Sequence, residues 1–344
     1  MSARKLDIYN HVLPRALTDR MRELAPDKGG IVKRVTSIRM LHDIEARIAM
    51  MDQWPGYQQV LTLANPPLEA IAGPADSPGL ARLGNDALKA ICDTRPDKFP
   101  AWAAGLPLNN VEASLEEIDR AIALGARGIQ IFTNVNGRPL DEPEFLPIFE
   151  RAVDHHRVPI WMHPARSAST PDYPGETKSK YEIWQVLGWP YETSVAMARL
   201  VFSGLLDRFP DMVIITHHLG AMIPYFEGRV GPLFDQLGTR TSDEDYGALL
   251  KRMARRPIEY FRMFYGDTAV GGSRAAIQCG LNFFGPDKVL FATDCPFDPE
   301  GGPMFIRETI AAIDGLDLSD ADRRKIYVDN ALRLMRLGSD RADP

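Results

Sequence analysis

Four polar residues close short apolar runs, a placement that gathers side chains at one rim if the runs are parallel strands of a barrel. His11 ends Asp7-Ile8-Tyr9-Asn10-His11, His163 ends Pro159-Ile160-Trp161-Met162-His163, and His218 ends Ile214-Ile215-Thr216-His217-His218. Asp294 ends Phe291-Ala292-Thr293-Asp294 in the same way. Imidazole nitrogens with a carboxylate are the donors that a borderline-soft divalent ion prefers, so this set describes a metal site with an open position. A lone histidine at a strand end is more often structural, and the weight here lies in four such residues coinciding. The other histidines read more plainly. His42 marks a helix start, while His155 and His156 end an amphipathic helix, where a cation suits the helix dipole. Strict strand alternation turns His217 away from His218 and predicts a packing or supporting role for it.

The elements that must position these groups follow from an alternation of short β-branched or aromatic runs with longer amphipathic stretches. Strands are predicted at Leu6–His11, Gln58–Ala64, Ala101–Leu106, Gly128–Thr133, Pro159–His163, Val213–His218, Met263–Gly266 and Val289–Thr293. Helices are predicted at Asp43–Gln53, Ser114–Ala123, Glu144–His155, Glu192–Asp207 and Ala221–Leu237, with a helical C-terminal tail over Ser319–Leu337. Eight β-then-α units predict an α/β fold of the (β/α)8 TIM-barrel type. No linker or repeat divides residues 1–344, which are expected to form one domain. Two connections are long, His11–His42 after the first strand and Pro164–Pro190 after the fifth. Both follow carboxyl ends of strands, so they are expected to wall the site. In the second, Tyr181, Trp184 and Trp189 are candidates for a flat apolar surface over a planar ligand.

Composition narrows the classes of function. The chain has 344 residues, 45% of them hydrophobic and 25% charged, and its 40 Lys and Arg against 46 Asp and Glu leave a net charge of -6. The basic residues are scattered, which argues against nucleic acid as a partner. Cys92, Cys279 and Cys295 are odd in number and far apart, which suits neither a disulfide framework nor a thiolate cluster and points to a reducing, cytoplasmic setting. The first residues lack the apolar core of a signal peptide, and no apolar run reaches the length of a membrane span.

Several stretches, taken together and in order, resemble the amidohydrolase-related family that contains 2-amino-3-carboxymuconate-6-semialdehyde decarboxylase and γ-resorcylate decarboxylase. They are Asp7-Ile8-Tyr9-Asn10-His11-Val12-Leu13-Pro14, Ala46-Arg47-Ile48-Ala49-Met50-Met51-Asp52-Gln53, Gly128-Ile129-Gln130-Ile131, His163-Pro164, the run from Phe209-Pro210 to His218-Leu219-Gly220, and Thr293-Asp294-Cys295-Pro296-Phe297. The resemblance implies a metal-dependent barrel with one divalent ion, zinc first and manganese as the alternative. It also implies His11, His163 and Asp294 as ligands, His218 as acid/base beside the metal, and Arg47 as the holder of a substrate carboxylate. A guanidinium offers a carboxylate a rigid fork that lysine cannot; the competing reading of Arg47 is an ordinary surface residue of its helix. The resemblance further implies a homodimer or larger assembly.

Position 9 departs from the family, which has His or Glu where this chain has Tyr9. Alternation puts Tyr9 on the face of His11. A phenol is a poor ligand near neutrality because its pKa is about 10, although a dication can lower it. Three outcomes stay open: a weaker site with three protein ligands, a tyrosinate ligand, or no metal. Retained metal is the expectation, and a neutral Tyr9 would then hydrogen-bond substrate. The reaction expected is decarboxylation of a small unsaturated or aromatic acid, with His218 or a protonated Asp294 as proton source. The alternative is metal-dependent hydrolysis of a lactone, ester or amide, and a non-catalytic binding protein is third.

Overall fold

The computed structural model describes residues 4–25, 35–240 and 244–338. Its strands, in chain order, are β1 (Lys5–Val12), β2 (Tyr57–Leu63), β3 (Ala101–Trp102), β4 (Ala104–Gly105), β5 (Ile129–Phe132), β6 (Asn134–Val135), β7 (Arg138–Pro139), β8 (Ile160–His163), β9 (Ile214–Thr216), β10 (Tyr265–Asp267) and β11 (Val289–Leu290). One parallel sheet runs β1-β2-β3 and another runs β11-β10-β9-β8-β5-β4. β3 and β4 are the two halves of one barrel strand interrupted at Ala103, whose N–H still bonds the Leu61 carbonyl at 3.0 Å. The ring closes where Ile8 N–H meets the Phe291 carbonyl at 2.9 Å. Every expected strand thus has its counterpart, and the structure is a (β/α)8 barrel. β6 and β7 are a small antiparallel hairpin outside the ring.

The strands read as apolar runs because a parallel sheet is covered on both faces. Helices cover the outside. Inside, Trp161 on β8 is fully buried and donates its indole N–H across the barrel to the Ile8 carbonyl at 2.8 Å. Gly128, just before β5, leaves room for that indole: a Cβ there would lie 2.3 Å from Trp161 Cζ3 and 2.4 Å from the Pro159 carbonyl oxygen. This packing is the physical content of the Gly128-Ile129-Gln130-Ile131 stretch.

Helix boundaries differ from expectation where local chemistry intervenes. The helix expected at Asp43–Gln53 spans Ile44–Met51, because Asp43 stays outside and caps it by accepting the Ala46 N–H. The Glu144–His155 stretch is an α-helix over Leu146–Glu150 that widens to a π-turn over Arg151–His155. In place of one helix over Ala221–Leu237, turns lead to a helix at Glu227–Phe234. The tail is helical over Asp320–Arg324, Lys325–Asp329 and Asn330–Met335. Four helices of ten residues or more were not expected: Arg15–Leu24, Ser77–Thr94, Arg274–Phe284 and Pro303–Asp314. The first lies in the long connection after β1, whose residues 26–34 fall outside the described ones.

Gly128→Ala is expected to destabilise the fold by roughly 1–3 kcal/mol or more through overpacking against Trp161. Thermal unfolding checks this, and an unchanged midpoint would contradict the packing.

Candidate metal and proton-transfer site

β1 brings Tyr9 and His11 to the mouth of the barrel. Pairing with β2 shifts register between Asp7 and Asn10, and this irregularity lets Asn10 turn toward Arg47 while Tyr9 and His11 share the other face. β8 delivers His163 directly at its end. β9 stops at Thr216, and His218 and Leu219 both adopt φ of 58°, left-handed backbone in which side chains no longer alternate. His217 therefore joins the cluster instead of turning away, correcting the expectation drawn from alternation. Asp294 also sits at positive φ, 62°, in the chain leaving β11, and its N–H bonds the Tyr9 carbonyl at 3.1 Å. Such backbone persists only where surrounding structure fixes it, and it concentrates at functional sites.

The ligand atoms of His11, His163 and His217 lie within 4.8 Å of one another, and so do those of His217, His218 and Asp294. Three imidazoles are tethered through Nδ1. His163 Nδ1 meets the Pro164 carbonyl at 2.7 Å, and His217 Nδ1 meets Asp267 Oδ2 at 2.6 Å. His11 Nδ1 lies 3.3 Å from the Leu63 carbonyl and 3.1 Å from the Thr62 hydroxyl. Each ring thus turns Nε2 inward, the arrangement that fixes tautomer and orientation in metal-binding histidines. His11 Nε2 and His217 Nε2 are 3.3 and 3.4 Å from Asp294 Oδ1, and His218 Nε2 is 3.9 Å from Oδ2.

The electrostatics sort these groups. Burial pushes the His163 imidazole well below its usual range, helped by neighbouring imidazoles, so it stands as a neutral ligand. His11 and His218 are lowered for the same first reason. Burial would also lower His217, but the carboxylate of Asp267 outweighs it and raises that imidazole to about 10. Burial would raise Asp294, but the imidazoles of His11, His217 and His218 hold its carboxyl well below the carboxylate range. Burial, then the carboxylates of Asp267 and Asp294, push the Tyr9 phenol up, so it is protonated at neutral pH.

The donors fit a divalent ion. His11 Nε2, His217 Nε2, His218 Nδ1 and the Tyr9 hydroxyl are buried with no hydrogen-bond partner in the chain, a cost that a ligand or ion relieves. Nitrogen and carboxylate oxygen at this spacing suit zinc or manganese. The cysteines take no part: Cys295 follows Asp294, but burial raises its thiol to about 12.

Arg47 is placed differently from the expectation. It is fully buried, and its guanidinium is engaged by the Gln59 side chain at 2.7 Å, the carbonyls of His11 at 2.6 Å and Met40 at 3.1 Å, and Asn10 Oδ1 at 2.8 Å. It braces the backbone beneath His11. Of the three loop aromatics, Trp184 and Trp189 line the pocket with Val35, His163, Asp294 and Phe297, and Trp189 packs on His163 at 5.5 Å between ring centroids. Tyr181 is 89% exposed and stands away. Asp267, which sequence reasoning missed, ends β10 as His163 ends β8. That strand-end position was its one available signal.

Known proteins match this architecture. The amidohydrolase family profile matches residues 11–337. The γ-resorcylate decarboxylase of Rhodococcus jostii is 30% identical over 313 residues, covering 87% of this chain and 89% of that one. The 2-amino-3-carboxymuconate-6-semialdehyde decarboxylase of Dictyostelium discoideum is 29% identical over 267 residues, covering 77% and 69%. Among solved structures, a dihydroxybenzoic acid decarboxylase from Polaromonas with manganese and 2-nitroresorcinol superposes with a TM-score of 0.75 at 25% identity, covering 98% of each chain. The 5-carboxyvanillate decarboxylase of Novosphingobium aromaticivorans, with manganese and 4-hydroxy-3-methoxy-5-nitrobenzoic acid, gives 0.81 at 25% identity, covering 98% and 97%. A barrel whose strand ends carry this imidazole and carboxylate cluster, matched to the family profile over nearly its whole length, belongs to the amidohydrolase family.

Proposed function

We propose that the protein is a metal-dependent decarboxylase of a small aromatic carboxylic acid. The observation that carries this reading is the convergence of His11, His163 and the Asp294 carboxylate with a further buried imidazole, His217, that Asp267 holds through Nδ1. Decarboxylation needs both an electron sink and a proton donor, and an ion in this cluster beside a held imidazole would supply both. The aromatic-acid decarboxylases among its relatives weigh the same way.

His11, His163 and Asp294 would hold the ion, and the manganese in two related structures makes manganese the ion to load first. When bound, the ion supplies Lewis acidity at a substrate oxygen near the carboxylate. The chain's residues do the rest. Trp184, Trp189, Val35 and Phe297 would wall a planar ring with apolar surface and keep water from it. As the carbon–carbon bond breaks, its electron pair stays on the ring carbon and carbon dioxide leaves. His217 then gives its Nε2 proton to that carbon, and Asp267 holds the remaining Nδ1–H and the ring in place. His218, expected from the sequence to be the acid, is the neutral neighbour. With its side chain 19% exposed at the mouth, it is suited to hydrogen-bond a substrate oxygen. Tyr9, as a phenol, does the same from the floor.

No helix among the described residues is long and apolar enough to cross a membrane. The cysteines, none of them disulfide-bonded, support a cytoplasmic setting, and exposed Val186, Leu187 and Tyr191 near the site support a homo-oligomer.

Three outcomes follow. Manganese-loaded protein should release carbon dioxide from ortho-hydroxylated aromatic acids such as 2,6-dihydroxybenzoate, whereas water uptake by lactones or amides without gas would favour the hydrolase alternative. Asp267→Asn should lower kcat and move the alkaline limb of its pH profile down by roughly one unit or more, because the carboxylate that raises His217 is gone and the proton is lost earlier. An unmoved limb would remove His217 from the proton step. Tyr9→His should tighten manganese binding by adding a nitrogen donor at the cluster, and unchanged affinity would place position 9 outside the ion's reach.

A further inference from the structure

A groove of about 1070 Å³ runs beside the metal pocket and shares two of its walls, Asn65 and Trp184. The metal pocket is small, about 10 Å³, and this second space is far larger. Its lining differs in chemistry. The metal pocket is mostly apolar, whereas the groove sets polar groups, Asn136, Ser167, Ser169 and Thr170 with Arg166, Arg199, Glu182 and Glu192, among apolar walls that include Ile71, Leu140 and Val195. Hydroxyls and amides spaced among apolar walls suit a carbon chain that carries oxygen atoms along its length.

Arg166 is built into this groove. It follows His163 by three residues, and its carbonyl accepts the Trp189 indole N–H at 3.3 Å, so its backbone is tied to an aromatic residue that packs on His163. Gly188 lies under its stem: a Cβ there would come within 2.5 Å of Arg166 Cδ. Nη1 donates to Glu192 Oε1 at 2.9 Å and Nη2 to the Pro171 carbonyl at 3.4 Å, which orients the fork while leaving further N–H groups. Its side chain is 17% exposed, against 54% for Arg199, which is drawn to both oxygens of Asp141 at 3.0 Å. With Arg47 closed off beneath β1, Arg166 is the held cation that a ligand leaving the metal pocket past Trp184 would meet.

We propose that the groove is a substrate subsite for an oxygen-rich substituent on the aromatic acid, an amide-linked chain ending in a carboxylate, and that Arg166 anchors its far end. This rests on the decarboxylase reading and narrows it from single-ring acids to ring acids with a polar tail. Remote binding of this kind leaves the departing carboxylate free of a strong ion pair that would hold it in the ground state.

Calorimetric titration of manganese-loaded protein with salicylate, and with salicylate carrying a succinyl amide at ring carbon 5, tests the subsite through relative affinity. The extended acid is expected to bind roughly tenfold more tightly, the worth of one charge-assisted contact. Arg166→Gln should erase that preference by removing the cation, and Gly188→Ala should erase it by displacing Arg166 with its charge kept. Equal affinity of the wild-type protein for the two acids, or a preference that survives both substitutions, overturns the proposal. Carbon dioxide release, measured separately, tells the two readings apart. Release from the simple acid without a binding preference sinks the subsite alone, while a preference without release from either acid sinks the decarboxylase reading.

Discussion

Three imidazoles in the barrel mouth are committed at Nδ1 to the chain's own acceptors, and that commitment decides where their other nitrogens point. A carbonyl holds His163, a carboxylate holds His217, and a carbonyl with a hydroxyl holds His11. With those bonds in place, the inward nitrogens of His11 and His217 crowd a single oxygen of Asp294 at 3.3 and 3.4 Å. The chain spends folding energy on this: buried polar atoms lacking partners each cost about 1–3 kcal/mol. The barrel can carry that cost because its interior and helical shell bury two extensive apolar clusters.

The tethers work only if β1 is fixed, and a buried polar network fixes it. Asp7 accepts from the Tyr57 hydroxyl and the Thr293 hydroxyl, both at 2.5 Å, which ties β1 to its neighbour on one side and to the segment carrying Asp294 on the other. Burial raises Asp7 to about 6 despite these donors and the nearby Arg47 cation. Arg47 spans Asn10, Gln59 and the carbonyls of His11 and Met40, so the guanidinium sets the height of the His11 backbone. One cation and one carboxylate, neither facing the pocket, thus determine the geometry of groups that do.

The barrel was legible in the sequence because parallel strands are uniformly apolar and end in the polar residues the mouth requires, as Ile160-Trp161-Met162-His163 does. The helix at Ser77–Thr94 was not, since Pro78, Gly79, Gly84 and Asn85 break its pattern. Gly84 is there because a Cβ would sit 2.9 Å from Leu63 Cδ1, and Asn85 because its amide bonds the Gly105 carbonyl, demands of packing that propensity does not express. In the site, His11, His163, His218 and Asp294 do converge, together with Tyr9. His217 escaped because alternation assumes a strand continuing past Thr216, where the backbone turns left-handed. Arg47 was misplaced because a buried arginine whose acceptors are two backbone carbonyls and the amides of Asn10 and Gln59 has the same sequence signature as one facing a ligand.

The central claim is that one divalent ion sits among His11, His163 and Asp294. Electron paramagnetic resonance titration of manganese into purified protein tests it most directly, alongside His163→Ala and Asp294→Asn variants that still unfold cooperatively. One tight ion per chain, lost in both variants, is the result the account predicts. A protein that takes up no manganese or zinc, or variants that bind it as tightly as the parent, would contradict it.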